Sequence, residues 1–165
     1  MDRSRIARVM EKMRERGLTQ TLITSTASVY YLTGLWIEPH ERMLALYLDI
    51  EGRAVLFGNE IFGIQPSGLD WRPHKDGEDP VAGLSEILRP GAVGIDKDWP
   101  SRFLIGLMAH RNDVTPVLGS EPVDMARRFK DAAEQEAMRK ASAINDQVVE
   151  AAISALCEGI TELEL

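Results

Sequence analysis

The stretch Ser28-Val-Tyr-Tyr-Leu-Thr-Gly-Leu-Trp36, with the loop Ile37-Glu-Pro-His-Glu-Arg42 after it, is the centre around which the sequence is organised. Three aromatic rings fall within a few residues, and a polar loop with a histidine, two carboxylates and an arginine follows. Ser28 can cap a short helical turn that Gly34 would end. Because binding residues concentrate in connections at strand ends, this loop is a candidate site.

The flanking sequence alternates between helical and extended patterns. Arg3–Arg16 has the apolar spacing of an amphipathic helix, and Thr21–Thr24 is typical of a buried strand. Met43–Leu48 and Arg53–Phe57 predict a hairpin around turn residues. The further predicted elements are a strand at Leu69–Arg72, a helix that starts at Asp79-Pro80, a strand at Ala92–Ile95, a helix at Pro100–His110 and a strand at Asp113–Leu118.

This order of elements predicts an α/β fold with three layers, α/β/α, and a mixed central sheet of six strands. Pro116 has no N–H to donate, which places the last strand at an edge of the sheet. Ala132–Cys157 lacks glycine and proline and predicts a long C-terminal helix of roughly 26 residues with an apolar stripe. Thr161–Glu164 has the pattern of a capping box, so we expect a further helix and a chain that continues past Leu165.

The composition excludes several classes of protein. A formal charge of −7 disfavours nucleic-acid binding and a membrane-surface role, since both use a basic face. Arg3–Arg16 is rich in arginine, and we interpret it as a solvated helix face, with a basic patch for an acidic partner as the alternative. The single cysteine excludes an internal disulfide, and no apolar run has membrane-spanning length. We therefore expect a cytoplasmic protein.

No self-sufficient catalytic site is predicted from the residues alone. The sequence has no nucleophile elbow and no glycine-rich phosphate loop. Asp96-Lys-Asp98 follows a strand and could offer carboxylates to a metal, although such a pair more often caps the next helix. Asp76–Asp79 is interpreted as a solvated acidic loop, and His74 and His110 as surface histidines.

The loop after Gly34 is the exception. Trp36, His40 and Arg42 would offer an aromatic wall, an imidazole and a guanidinium that can bind a carboxylate. The alternative from the residues alone is structural, with Trp36 covering the core and Glu41 paired with Arg42 at the surface.

Four segments of the sequence carry a family resemblance. They are Val29–Gly34 after Leu22–Ser25, Val93–Asp96, Val123–Lys130 with Glu134 and Glu136, and Met138–Asp146 through Gly159–Glu162. In this order they resemble the N-terminal region of prolidases, Xaa-Pro aminopeptidases and creatinases. One departure is Ser28, where the family often has asparagine, although both residue types cap a helical turn.

The resemblance implies a ribonuclease H-like N-terminal domain at residues 1–130. Residues 131–165 would then be a linker and the first helix of a pita-bread catalytic domain. That domain would bind two divalent metal ions, Mn, Co or Zn, through residues beyond Leu165. No catalytic residue and no metal ligand is therefore assigned to this chain.

The resemblance also implies a function. The whole protein would be a homodimeric Xaa-Pro dipeptidase or aminopeptidase acting on proline-containing peptides, and this chain alone would be inactive. Its domain would form dimer contacts and cover the partner subunit's active site, where Trp36, His40 and Arg42 would contact substrate. The alternatives are a creatinase-type amidinohydrolase and a non-catalytic module that binds peptides or proteins.

Overall fold

The computed structural model describes residues 1–65 and 68–164. The chain divides into two compact units, the first spanning Met1–Arg128 and the second beginning at Phe129.

The first unit contains most of the secondary structure. Its elements, in order, are α1 (Arg3–Glu15), β1 (Gln20–Ile23), α2 (Thr26–Thr33), β2 (Leu44–Asp49), β3 (Ala54–Asn59), a 3₁₀ turn (Glu60–Phe62), β4 (Asp70–His74), α3 (Ala82–Ile87), β5 (Gly91–Ile95), α4 (Ser101–His110), β6 (Val114–Leu118) and α5 (Glu121–Arg128).

The strands form one mixed sheet of six strands in the order β4-β3-β2-β1-β5-β6, which confirms the predicted architecture. β2 is antiparallel to both of its neighbours, whereas the pairs β3–β4, β1–β5 and β5–β6 are parallel. All the strands of this described sheet except β2 therefore end at the same side, which we call the carboxyl edge. Pro116 lies on β6 at one end of the strand order, as predicted.

Helices cover both faces of the sheet. The amphipathic α1 buries Ile6, Val9 and Met13 on one face, together with apolar residues of α2 and α5. On the other face, α3 contributes Leu84 and α4 contributes Phe103 and other apolar side chains. Alternate residues of β2 belong to the apolar core on one face of the sheet and to that on the other, so this strand is buried on both sides and stabilises both cores.

The start of α2 differs from the prediction. The cap residue is Ser25, with extended backbone, and Ser28 is a buried residue inside the helix whose Oγ accepts a hydrogen bond from Ser25 Oγ at 2.8 Å. The predicted cap at Ser28 was wrong, because a distant carboxylate, Asp96, holds the backbone N–H groups of Thr24 and Ser25. Gly34 ends the helix in the left-handed region at φ 77°, as predicted.

The start of α3 was also predicted too early. The helix begins at Ala82, and Pro80 lies in a turn before it. The Asp79 carboxylate still accepts a hydrogen bond from the backbone N–H of Val81 at 3.0 Å, but its other oxygen contacts His110. The expected capping group therefore stabilises a turn and a side-chain pair, and the helix starts later.

The second unit contains the long helix α6 (Ala132–Ala155), which confirms the predicted C-terminal helix. Asp131 and Glu134 form a reciprocal capping box at its start. Its apolar residues Met138, Ile144 and Val148 are exposed. After α6, Glu164 accepts hydrogen bonds from the backbone N–H and the hydroxyl of Thr161, at 3.0 and 2.8 Å. The predicted continuation past Leu165 lies outside the described residues.

None of the helices in the described ranges combines the length and the apolar character that crossing a membrane requires.

Candidate functional site

A depression of about 280 Å³ opens at the carboxyl edge of the sheet in the first unit. Its walls come from the turn between β1 and α2 (residues 24–26), the loop residues 39, 40 and 42, and the turn before α4 (residues 98–100). The depression is thus formed where the parallel neighbours β1 and β5 both end. In open α/β sheets this is the position at which ligands bind.

Asp96 lies directly after β5 and is buried. One carboxylate oxygen accepts hydrogen bonds from the N–H groups of Thr24 and Ser25, at 2.9 and 3.0 Å, and the other accepts from the Ser120 hydroxyl at 3.0 Å. Burial by itself raises the pKa of Asp96, but these donors outweigh it and the pKa lies below its ordinary value. Asp96 therefore joins the ends of β1, β5 and β6, and its role is structural.

His40 lies in the wall of the depression and has an unusual backbone. Its φ of 50° makes it the single non-glycine residue with positive φ in the described ranges. This left-handed conformation costs roughly 1–2 kcal/mol for a residue with a Cβ. Strained residues of this kind cluster at functional sites, and the His40 side chain is exposed.

Arg42 lies in the same wall and is held by two carboxylates. Its Nε and Nη2 donate to the two oxygens of Asp76 at 3.1 and 3.0 Å, and its Nη1 donates to Glu41 at 2.8 Å. Asn59 donates a further hydrogen bond to Asp76 at 2.7 Å. These hydrogen bonds hold the pKa of Asp76 below its ordinary value and raise the pKa of Arg42. The predicted Glu41–Arg42 pair is confirmed, but the larger contact is with Asp76.

Trp36 is not among the residues that line this depression. Its side chain is 62% exposed and packs edge-to-face against Tyr30, with ring centroids 5.6 Å apart. The structural alternative, in which Trp36 covers the core, was therefore wrong. Together Trp36 and Tyr30 form an exposed aromatic pair beside the loop that carries His40 and Arg42.

The other candidates from the sequence have structural contacts. The loop Asp76–Asp79 is not simply solvated, since Asp76 binds Arg42 and Asp79 contacts His110 at 2.6 Å.

His74 is half-buried on β4, and burial lowers its pKa. Within residues 1–65 and 68–164, no group of three or more histidine, cysteine, aspartate or glutamate side chains could hold a metal ion. The two metal ions that the resemblance implies were expected beyond Leu165, and they stay a prediction.

Sequence reasoning missed Asp76, Asn59 and Asp96 as organisers of this region. Asp76 is 34 residues from Arg42 along the chain, so no local pattern joins them. The structure brings His40 and Arg42 together and leaves Trp36 at a neighbouring surface.

Comparison with known families identifies the fold. The model of the Creatinase/Prolidase N-terminal domain matches residues 5–129, so the chain belongs to this family. Two curated relatives align over 98% of the chain: the Bacillus subtilis (strain 168) protein YkvY, a provisionally assigned dipeptidase, at 28% identity, and the uncharacterized peptidase SAB1567 of Staphylococcus aureus (strain bovine RF122 / ET3-1) at 27%. The chain spans about half of each relative, 47% of its length.

Solved structures give the same result. A dipeptidase from Pyrococcus horikoshii OT3 is 29% identical and superimposes with a TM-score of 0.85 over 97% of this chain and 46% of its own. A recombinant prolidase from Thermococcus sibiricus, at 23% identity, superimposes with a TM-score of 0.84 over 99% of this chain and 47% of its own, a likeness of fold.

Proposed function

We propose that this chain is the non-catalytic N-terminal part of a cytoplasmic Xaa-Pro dipeptidase or aminopeptidase, which hydrolyses the peptide bond before proline. The observation that carries the proposal is the likeness to the Pyrococcus horikoshii dipeptidase, at 29% identity over 97% of this chain. The peptidase names of the curated relatives agree with it.

In this proposal the domain forms homodimer contacts and covers the active site of the partner subunit. The candidate surface is the loop after α2, because the loop lies at the carboxyl edge and presents exposed side chains. Trp36 would give an apolar wall to a proline-containing peptide, and His40 would donate or accept a hydrogen bond. Arg42 belongs to the same surface. Two divalent metal ions, Mn, Co or Zn, would be bound outside this chain.

The proposal is tested on the protein that carries this sequence, purified with Mn²⁺, beside the 165-residue chain alone. We expect the former to cleave Xaa-Pro dipeptides faster than matched dipeptides without proline, and the latter to give no turnover. Turnover of creatine in place of the dipeptides would favour the amidinohydrolase. Binding of proline peptides without turnover would favour the non-catalytic module, and either result would contradict the peptidase proposal.

A further inference from the structure

Arg42 and the two carboxylates around it carry a net negative charge. Both Nε and Nη2 are occupied by Asp76, and Nη1 by Glu41. A substrate carboxylate approaching Arg42 would meet this surplus of negative charge, and it would have to displace a bidentate partner in good geometry. Arg42 is therefore poorly suited to bind an anionic substrate group directly.

The position of Asp76 is itself fixed from the sheet. Asn59 lies at the end of β3 and is buried, with 2% of its surface exposed. Its Nδ2 donates to Asp76 at 2.7 Å, while its Oδ1 accepts the N–H of Ile61 at 3.0 Å. A rigid residue of the sheet thus orients Asp76, and Asp76 orients the Arg42 guanidinium.

Two further hydrogen bonds, which do not involve Asp76, hold the loop that carries His40. At its start, the carbonyl of Ile37 accepts a hydrogen bond from Thr26 Oγ1 at 2.7 Å. At its end, the backbone N–H of Arg42 donates to the carbonyl of Pro39 at 2.8 Å, which closes a turn around His40. The left-handed backbone of His40 persists because contacts on both sides determine it.

We propose that the hydrogen bonds of Asp76 with Asn59 and with Arg42 position the loop so that His40 faces the substrate. In this arrangement Arg42 acts through the loop without touching the substrate. This inference rests on the proposed function. It assigns the contact that selects the substrate to His40. It also makes that contact depend on Asp76, a residue of the acidic loop after β4. A contact group held in place before binding loses less conformational entropy when the substrate arrives.

The loop itself is tested first, by hydrogen exchange of the 165-residue chain. The Arg42 amide is hydrogen-bonded to the Pro39 carbonyl, and Asp76→Asn weakens the bidentate contact that holds Arg42. That amide should therefore exchange at least about tenfold faster in the variant, with α1 unchanged. Asp70→Asn is the matched control, since it removes a comparably exposed pair with Arg72 at the start of β4. Unchanged exchange of the Arg42 amide in Asp76→Asn would overturn the inference.

The substrate role is tested by kinetics in the protein that carries this sequence. Asp76→Asn and Arg42→Gln should each raise KM for an Xaa-Pro dipeptide by about tenfold with kcat within about twofold. The double variant should be no worse than either single variant, because both remove the same interaction. Asp76→Glu keeps the carboxylate, so its KM should lie close to that of the wild-type protein.

Direct substrate binding by Arg42 gives a different pattern. Arg42→Gln would then raise KM much more than Asp76→Asn does, and this result would overturn the positioning role. Faster exchange in Asp76→Asn with an unchanged KM would also overturn it. If the unchanged protein cleaves no peptide, the proposed function fails, while the exchange measurement still decides whether Asp76 positions the loop.

Discussion

The Asp96 carboxylate accepts a hydrogen bond from the backbone N–H of Thr24 at 2.9 Å, across 72 residues of sequence. This contact sets where β1 ends and where α2 begins, and it places the turn that lines the depression at the carboxyl edge.

Replacing Asp96 should destabilise the first unit in a pH-dependent way. Asp96→Asn removes the negative charge and one of the two acceptor oxygens, so the N–H groups of Thr24 and Ser25 and the Ser120 hydroxyl lose a charged acceptor, at a cost of about 1–3 kcal/mol at pH 7. Because folding lowers the pKa of Asp96, its carboxylate stabilises the fold fully above the unfolded value of about 3.9, and this stabilisation is lost as pH falls through the folded value. Urea unfolding should therefore show a smaller difference in the free energy of unfolding between wild type and Asp96→Asn at pH 3 than at pH 7.

Asp98→Asn is the control for that experiment, since the neighbouring Asp98 is exposed. Its substitution should change the free energy of unfolding by less than about 0.5 kcal/mol. If the difference in the free energy of unfolding between wild type and Asp96→Asn is the same at pH 7 and pH 3, the Asp96 charge does not have this role.

Substitutions of His40 should separate backbone strain from side-chain function. His40→Gly relieves the left-handed conformation at φ 50° and should stabilise the chain by up to about 1 kcal/mol relative to His40→Ala. Both variants lack the imidazole, so both should raise KM in the protein that carries this sequence. Thermal unfolding checks the first result and steady-state kinetics the second. If His40→Gly and His40→Ala unfold at the same temperature, the backbone at position 40 is not strained.

Gly119, just after β6, should not tolerate a side chain. A Cβ at this position would lie 2.5 Å from the backbone of Gly94 and 2.6 Å from Thr21 Oγ1. Gly119→Ala should therefore destabilise the chain by about 1–3 kcal/mol. Gly83→Ala is the matched control in α3, where a Cβ would make an ordinary contact with Phe57 at 3.7 Å, and it should be neutral or stabilising. Urea unfolding of both variants decides the comparison.

Trp36→Ala should affect binding more than stability. The ring is 62% exposed and contacts Tyr30 at its edge, so the free energy of unfolding should fall by less than about 1.5 kcal/mol. KM for Xaa-Pro dipeptides should rise several-fold. Ile61→Ala, at a side chain that is 65% exposed, is the control, and an equal rise of KM in both variants would argue against a specific role for Trp36.

Local patterns predicted the fold well. The order of elements and the edge position of Pro116 follow from periodicity and from the missing N–H, which depend on neighbouring residues only. The cap of α2 could not be predicted in this way. Ser25 and Ser28 are equally good capping residue types, and the choice between them depends on Asp96.

The candidate site was predictable in its location and not in its internal contacts. His40 and Arg42 were recognised from their residue types in a loop at a strand end. The residue type at position 40 does not by itself indicate a left-handed backbone, and the Asp76 partner of Arg42 comes from another loop. Such contacts depend on tertiary structure, so a single sequence gives no direct signal for them.

Strand β2 runs antiparallel to both of its neighbours in the described sheet, and this has a consequence for engineering. With that strand reversed, the loop that enters β2 and the loop that leaves β4 emerge at the same edge, where Arg42 meets Asp76. A loop transplanted from a relative to alter selectivity would therefore have to bring the second loop with it. The two segments, residues 35–43 and 75–79, form one exchangeable cassette.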